Sequence, residues 1–316
     1  RHTRLLTVTG VQMCSSDLIS GDDVFDIYDT AYNGNDDVSV IQGWITDTPA
    51  QKGHQQLRQT VVKSQLTSGK YVVAVDSNLF LYANTQNPLH YLRYSFNGVF
   101  PDTGNYCDKR IDPQRWKKIS KDLKLHLKDY RTNGNHILLC LQRNGGWSMG
   151  ITNVVDWLQS VVQGIRQHSD RPIVIRPHPG DKHSKQYLEN LPLLTKDKKI
   201  TISSPNTTLI DDLQDCWAAV NHNSSPVVGA AIQGIPIFVT DPLKSQCREI
   251  ANLDFSKIEN PVCPNRLPWV QRLSMFHWKF DELKSGECWQ HMRRYLVDRK
   301  STRLNSSHSQ QSRMPS

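Results

Sequence analysis

The chain has 316 residues, 37% of them hydrophobic and 22% charged, and a formal net charge of +8. That length supplies one large or two medium domains with a sizeable core. No stretch approaches 18 uninterrupted apolar residues, and the start lacks the apolar run and small-residue cleavage site of a secretory signal. A membrane span and export are therefore disfavoured, and a cytoplasmic protein is expected.

A basic excess supplies the sequence-independent part of phosphate binding, so double-stranded DNA is a candidate partner. The charge is unevenly placed, however. Residues 1–18 (RHTRLLTVTGVQMCSSDL) show no helix or strand periodicity that continues past residue 18, and they resemble translated sequencing-adapter read-through. Residues 299–316 (RKSTRLNSSHSQQSRMPS) resemble the same artefact, the alternative for each end being a disordered basic tail. Setting both aside as non-native removes a net +1 and a net +4 and leaves +3 on residues 19–298. The cysteines of that span, Cys107, Cys140, Cys216, Cys247, Cys263 and Cys288, form no C-x-x-C pair and no Cys/His zinc spacing. They read as free thiols of a reducing compartment, with Cys140 in the core.

In chain order, Val38–Trp44 and Tyr71–Val75 are apolar runs of strand length. Between them Gln55–Leu66 carries Leu57, Val61, Val62 and Leu66 at the spacing of one helical face, a β-α-β unit that favours a parallel sheet. Residues 102–118 read as a loop leading into a basic amphipathic helix over Pro113–Tyr130, and Asn133-Gly134-Asn135 breaks the chain at a domain boundary. The second half alternates more cleanly. His136–Leu141 is a buried strand, Gly145-Gly146 a turn, and Asn153–His168 a helix with Val154, Trp157, Leu158, Val161, Val162 and Ile165 on one face. Strands come next at Pro172–Arg176, Ile200–Ile202, Trp217–Val220 and Ile235–Val239, with helices near Leu209–Leu213 and Pro226–Gln233. After Pro242 the chain reads as helical, with Trp269, Trp278 and Trp289 as packing residues and Gly286 as a break. The expected fold class is α/β, two Rossmann-like domains with a helical C-terminal segment, the architecture of GT-B glycosyltransferases.

In such sheets ligands sit beyond the carboxyl ends of the strands. Arg176-Pro177-His178-Pro179-Gly180 ends one strand, its prolines fixing the backbone around an Arg and a His suited to a diphosphate: one gives permanent charge, the other a hydrogen bond or a proton. Asn221-His222-Asn223-Ser224-Ser225-Pro226 ends another and opens a helix, where a serine serves as an N-cap or holds phosphate. Arg143 and Gly145-Gly146-Trp147-Ser148, after His136–Leu141, occupy a corner where a donor phosphate would lie, and a plain tight turn is the alternative. Asp76, after Tyr71–Val75, is the provisional general base and Asp102 its competitor. No D-x-D pair, no G-x-G-x-x-G and no P-loop pattern occurs, so a required metal, NAD and ATP are all disfavoured. The cluster Arg110, Arg115, Lys117, Lys118, Lys121, Lys124 and Lys128 is either a solvated helix face or a contact to a DNA backbone, with Arg115 and Lys118 as acceptor contacts.

The His-Pro pair, with a Ser-Ser pair further along at a helix start, resembles the HP and S/SS motifs of bacterial CMP-sialyltransferases and capsule Kdo transferases. That resemblance covers about 135–245 and implies that His178 meets the nucleotide phosphate and assists its departure, while Ser224 and Ser225 hold it. The D/E-D/E-G motif that carries the base in those sialyltransferases is absent near residue 76. Ile258–Leu296 resembles the C-terminal segment of phage-encoded glycosyltransferases, some acting on hydroxymethylated bases of viral DNA. These resemblances imply an acceptor-binding domain over 19–134, a nucleotide-sugar domain over 135–258 and a helical segment over 259–298. The expected activity is metal-independent transfer from a nucleotide sugar, with Arg143, Gly145, Arg176, His178, Asn223, Ser224 and Ser225 on the donor. The acceptor that the second resemblance implies is 5-hydroxymethylcytosine in phage DNA, in which case the site of action is expected to be the host cytoplasm and the base to be extruded from the duplex. The alternatives are a surface-polysaccharide transferase of sialyl or Kdo type, a non-catalytic nucleotide-binding protein of the same fold, and a sugar-nucleotide epimerase.

Overall fold

The computed structural model describes residues 4–8, 24–28, 32, 34, 36–45, 53–80, 91–150, 153–189 and 191–296. A first sheet contains β1 (Arg4–Val8), β2 (Val24–Tyr28), β3 (Val38–Gln42), β4 (Tyr71–Asp76) and β5 (Tyr91–Phe96). A second contains β6 (His136–Cys140), β7 (Ile173–Arg176), β8 (Ile200–Ile202), β9 (Cys216–Asn221) and β10 (Ile237–Val239), and a last strand, β11 (His277–Lys279), returns to the first. In space the first sheet runs β11-β5-β4-β3-β1-β2 and the second β10-β9-β6-β7-β8.

The β-α-β unit forms as its spacing predicts: α1 (Gly53–Thr67) connects β3 to β4, which pair in parallel from Val38↔Tyr71 to Gln42↔Val75. One position of its helical face is corrected. Leu66 is 39% exposed, whereas its neighbour Gln65 is fully buried. The Gln65 amide donates to Asp36 O at 3.2 Å and Ser39 Oγ at 2.5 Å, which lets a polar side chain occupy the inner face at i+4 from Val61. Four strands, β1, β2, β5 and β11, escape the sequence pattern. β5 is short and mixed in polarity, and Arg4–Val8 lies in the segment expected to lack strand periodicity. A parallel strand in mid-sheet needs no polar alternation, and RLLTV, joined in parallel to both β2 and β3, shows none. Residues 9–18 and 299–316 lie outside the described residues.

The second sheet is parallel throughout, its connections carrying α2 (Pro113–Asp122) before it and α3 (Val154–Arg166), α4 (Ser184–Glu189), α5 (Pro192–Lys196), α6 (Leu209–Asp212) and α7 (Pro226–Ile232) within it. Asn153 caps α3 by accepting the Val155 N–H at 2.8 Å, and the six apolar residues expected on one face are the six that are buried. α2 stops well short of Tyr130. Lys124 takes a left-handed conformation (φ 53°), and beyond it Leu125 and Leu127 pack into the core at a period of two rather than 3.6. Lys124 and Lys128 therefore do not extend the helical basic face. Leu79, Phe80, Tyr91 and Trp116 share one continuous apolar cluster with Leu138, Ala219, Val228 and Phe276, so a hydrophobic layer joins the two sheets. Such an interface opposes free hinging.

The chain beyond Pro242 is less helical than its composition suggests. Turns and one 3₁₀ turn (Phe255–Lys257) precede α8 (Leu267–Ser274), and β11, α9 (Phe280–Lys284) and α10 (287–296) come after it. Gly286, at φ 77°, breaks the chain between the last two helices, and Trp269, Trp278 and Trp289 are all buried as packing residues. β11 pairs antiparallel with β5, so the C-terminal segment closes the edge of the first sheet.

Gly234 lies just beyond α7 at φ 82°, and a Cβ there would lie 2.0 Å from the Asp129 carbonyl oxygen. Gly234→Ala adds that backbone collision to the roughly 1–2 kcal/mol of a left-handed L-residue, and a lowered melting temperature is the expected result.

Candidate functional site

In the second sheet the chain moves from β6 to β7 and β8 on one side, then to β9 and β10 on the other. The carboxyl ends of β6 and β9 therefore flank a topological switch point, where open α/β sheets bind ligands. The loops leaving those two strands bring Gln142, Ser148, Asn223, Ser224 and Ser225 around a hollow of about 150 Å³. Leu79, Arg93, Val99 and Phe100 close it from the first half, and Lys244 and Gln246 from the segment after β10.

Side-chain amides hold this hollow open. Gln142 donates to Ser148 Oγ at 2.9 Å and accepts the Asn223 N–H at 3.2 Å. Asn223 Nδ2 donates to Ser148 O at 3.1 Å and to Asp241 Oδ2 at 2.9 Å. Asn221 Nδ2 donates to Ser224 O at 2.6 Å and Ser224 Oγ at 2.8 Å. Because Ser224 Oγ is already an acceptor, its own proton is free to point at a ligand. Ser225 stands at the N-cap position of α7 yet makes no side-chain capping bond. Two hydroxyls thus line the hollow with a proton not used in any bond among the described residues, which suits an anion.

Arg143 and Gly145 lie on the loop after β6 and His178 on the loop after β7, and none of the three belongs to the lining of the hollow. Gly145 turns the chain at φ 68°, and Arg143 is exposed. Asp181 ties these two loops together, accepting the Asn144 N–H at 2.9 Å and the Tyr187 hydroxyl at 2.9 Å. His178 is exposed, and its Nδ1 accepts the Gly180 N–H at 3.0 Å, leaving Nε2 to carry the proton of the neutral ring. Partial burial lowers its pKa below the usual imidazole value, Asp181 opposes that shift and the Arg143 charge adds to it. At neutral pH this side chain is a hydrogen-bond donor rather than a cation.

Arg176 is placed differently from its expected role. Its guanidinium is paired with Asp212 and donates to Thr207 O at 3.0 Å, while Ser203 Oγ also binds Asp212. A strand-end arginine can turn toward the crevice or toward the packed helix, and the carboxylate of α6 decides it. Arg176→Met is therefore expected to lower the denaturation midpoint while leaving nucleotide affinity within about twofold, read by thermal melting beside a binding titration.

From the first half, Asp76 and Arg93 are cross-strand neighbours joined at 2.5 Å. Burial alone would raise the Asp76 carboxyl, but Arg93 and the Ser77 N–H reverse this and hold it below the usual carboxylate range. Arg93 lines the hollow and Asp76 does not. A carboxylate so held is a weak base; its geometry makes it the group that positions Arg93. Asp102 lies exposed in a turn outside the hollow. Arg115 and Lys118 are both engaged by Glu282, Arg115 through two hydrogen bonds and Lys118 at 2.6 Å. Both charges are thus largely neutralised by Glu282, Arg115 in the interior and Lys118 at the surface with its side chain 40% exposed.

Sequence reasoning placed Ser148, in Gly145-Gly146-Trp147-Ser148, at the donor corner, and it missed Arg93, Gln142, Lys244 and Gln246. Gln142 directly precedes that corner, so the strand-end rule could have reached it. Arg93 needed β5, which offered no clean period, and Lys244 and Gln246 sit in turns. Among the described residues, no group of three or more His, Cys, Asp or Glu is arranged to hold a metal ion, and no helix is long and apolar enough to cross a membrane.

No family model matches the sequence, and no curated protein sequence does. Solved structures do match. The β-Kdo 2,4-transferase of Thermosulfurimonas dismutans KpsC aligns over 82% of this chain and 90% of its own at 11% identity, with a TM-score of 0.51. The β-Kdo 2,7-transferase of the same protein aligns over 78% and 83% at 13% identity and a TM-score of 0.44. The UDP-GlcNAc 2-epimerase of Methanocaldococcus jannaschii, solved with UDP-GlcNAc and UDP, aligns over 82% and 76% at 15% identity and a TM-score of 0.33. The fold is α/β with two Rossmann-like sheets, of GT-B type.

Proposed function

We propose that the chain is a glycosyltransferase that moves a sugar from a nucleotide-sugar donor to a hydroxyl of a surface polysaccharide, in the manner of sialyl or Kdo transfer. The observation that carries this reading is the hollow at the β6/β9 switch point, lined by the hydroxyls of Ser224 and Ser225, by Lys244 as its cation and by Arg93, whose charge Asp76 balances while its guanidinium remains a donor. The likeness of fold to a Kdo transferase supports it. Donor phosphate would lie against the serines, with His178 donating to it from the loop after β7 as the glycosidic bond breaks. Lys244 neutralises the departing nucleotide and Arg93, held by Asp76, hydrogen-bonds to it, the part that sequence reasoning gave to Arg176. The acceptor hydroxyl enters from the first half.

Transfer to hydroxymethylcytosine keeps fewer of its expected contacts, because Arg115 and Lys118 are bound to Glu282 and α2 ends before Lys124, while Arg110, Lys117 and Lys121 stay exposed. The test is nucleotide release from a panel of CMP-, UDP- and GDP-sugars, with acidic oligosaccharide, with hydroxymethylated duplex and with no acceptor. Release stimulated by oligosaccharide supports the proposal. Stimulation by the duplex alone would restore the DNA acceptor, and sugar isomerisation without acceptor would make the chain an epimerase.

A further inference from the structure

A second cleft, of about 570 Å³, lies between loop 105–112 and α10 and shares no lining residue with the crevice hollow. Its walls are pinned to each other: His291 Nε2 meets Cys107 O at 2.9 Å, and Tyr295 Oη accepts the Lys109 N–H at 3.1 Å. In its floor the Arg115 guanidinium lies 3.9 Å from the centroid of the Trp278 ring.

Lys109, Arg110 and Arg294 reach this cleft as exposed cations, and none is in an ion pair among the described residues. Two lining side chains more than nine-tenths buried, Arg115 and Trp278, each keep one N–H (Nε and Nε1) without an acceptor, and both of those atoms are closed off from the cleft itself. The three exposed groups are all donors carrying charge, so an occupant that meets them is an acceptor and an anion. Trp278 and Tyr295 add an apolar wall suited to a ring. A cavity of this size encloses a discrete molecule. Asp112 and Glu287, also in its lining, oppose a continuous phosphate backbone.

We infer that this cleft is a second binding site, for a small organic anion carrying a ring: a carboxylated or phosphorylated sugar. It stands independently of the crevice, and failure at one site leaves the other untouched.

The test is calorimetric titration of the full chain with N-acetylneuraminic acid, glucose 1-phosphate, inorganic phosphate and a short DNA duplex. Saturable binding of either sugar is expected, weakened at least tenfold by Arg110→Glu combined with Arg294→Glu and unchanged by Ser225→Ala. Both arginines are exposed, so the double variant should keep its melting temperature. The better-bound sugar identifies the anionic group. Sugar affinity unmoved by the double variant, loss of binding in Ser225→Ala, tighter binding of phosphate or duplex than of either sugar, or no binding of any probe would each overturn the assignment.

Discussion

Arg115→Met lowers the stability of the folded chain by about 3–5 kcal/mol, the expected cost of leaving one partner of a buried ion pair alone. Glu282 is 3% exposed and receives Arg115, Lys118 and the Lys279 N–H together. Arg115 also donates to the His277 carbonyl oxygen, so one side chain fastens both β11 and α9 to the first half. Removing the pair outright with Arg115→Met and Glu282→Leu should recover much of that loss, because a well-packed apolar replacement is often neutral. Urea denaturation reads both variants. A loss below about 1 kcal/mol, the range of a surface pair, would mean that Arg115 does not anchor the C-terminal segment.

The same anchor sets an acid limit. Burial pushes the Glu282 carboxyl up, but Arg115 and Lys118 outweigh it and bring the group down to about 2. A carboxylate depressed in the folded state contributes fully above its unfolded value near 4.5 and loses that contribution as pH falls toward 2. His277, buried with Nε2 accepting the Leu79 N–H and Nδ1 at 2.7 Å from Leu273 O, is lowered by burial to about 3. The unfolded chain takes up that proton near 6.5, so the folded state weakens as pH drops from 6.5 to 3. Stability should therefore decline below pH 6.5 and more steeply below 4.5, and Glu282→Gln should flatten only the lower part.

The second large effect is catalytic. His178→Ala is expected to cut turnover by roughly 10²-fold or more, the usual scale for a lost general acid or donor. Its ring is neutral, its Nδ1 is occupied by Gly180, and Asp181 fixes the loop that carries it against the loop of Arg143. Under the proposed mechanism the loss should fall on kcat and not on KM, because a bond from His178 to the leaving phosphate would strengthen only as that phosphate gains charge. Steady-state rates with the donor found active decide it. Equal losses in Arg143→Ala and His178→Ala, confined to KM, would reduce His178 to a binding residue.

The second half is largely legible in the chain itself. α3 shows all six of its inner residues at helical spacing, and each parallel strand there is a short apolar run ended by turn residues. The loops after β6 and β9 can be found because the strand-end rule needs only order along the chain. The first half resists for physical reasons. β5 and β11 are neighbours only through folding of residues far apart in sequence, so no local pattern announces that Arg93 will meet Asp76 or that Arg115 will meet Glu282. Arg176 shows the converse: its position at the end of β7 is plain from the sequence, but its direction depends on Asp212, 36 residues further on.

Equilibrium binding of CMP and UDP to the full chain and to a Ser224→Ala, Ser225→Ala double variant tests the crevice most directly. Binding of at least one nucleotide by the full chain is expected, weakened tenfold or more in the double variant and also by Arg93→Met. Nucleotide affinity left unchanged by all three substitutions would place the donor elsewhere and contradict the assignment of this hollow.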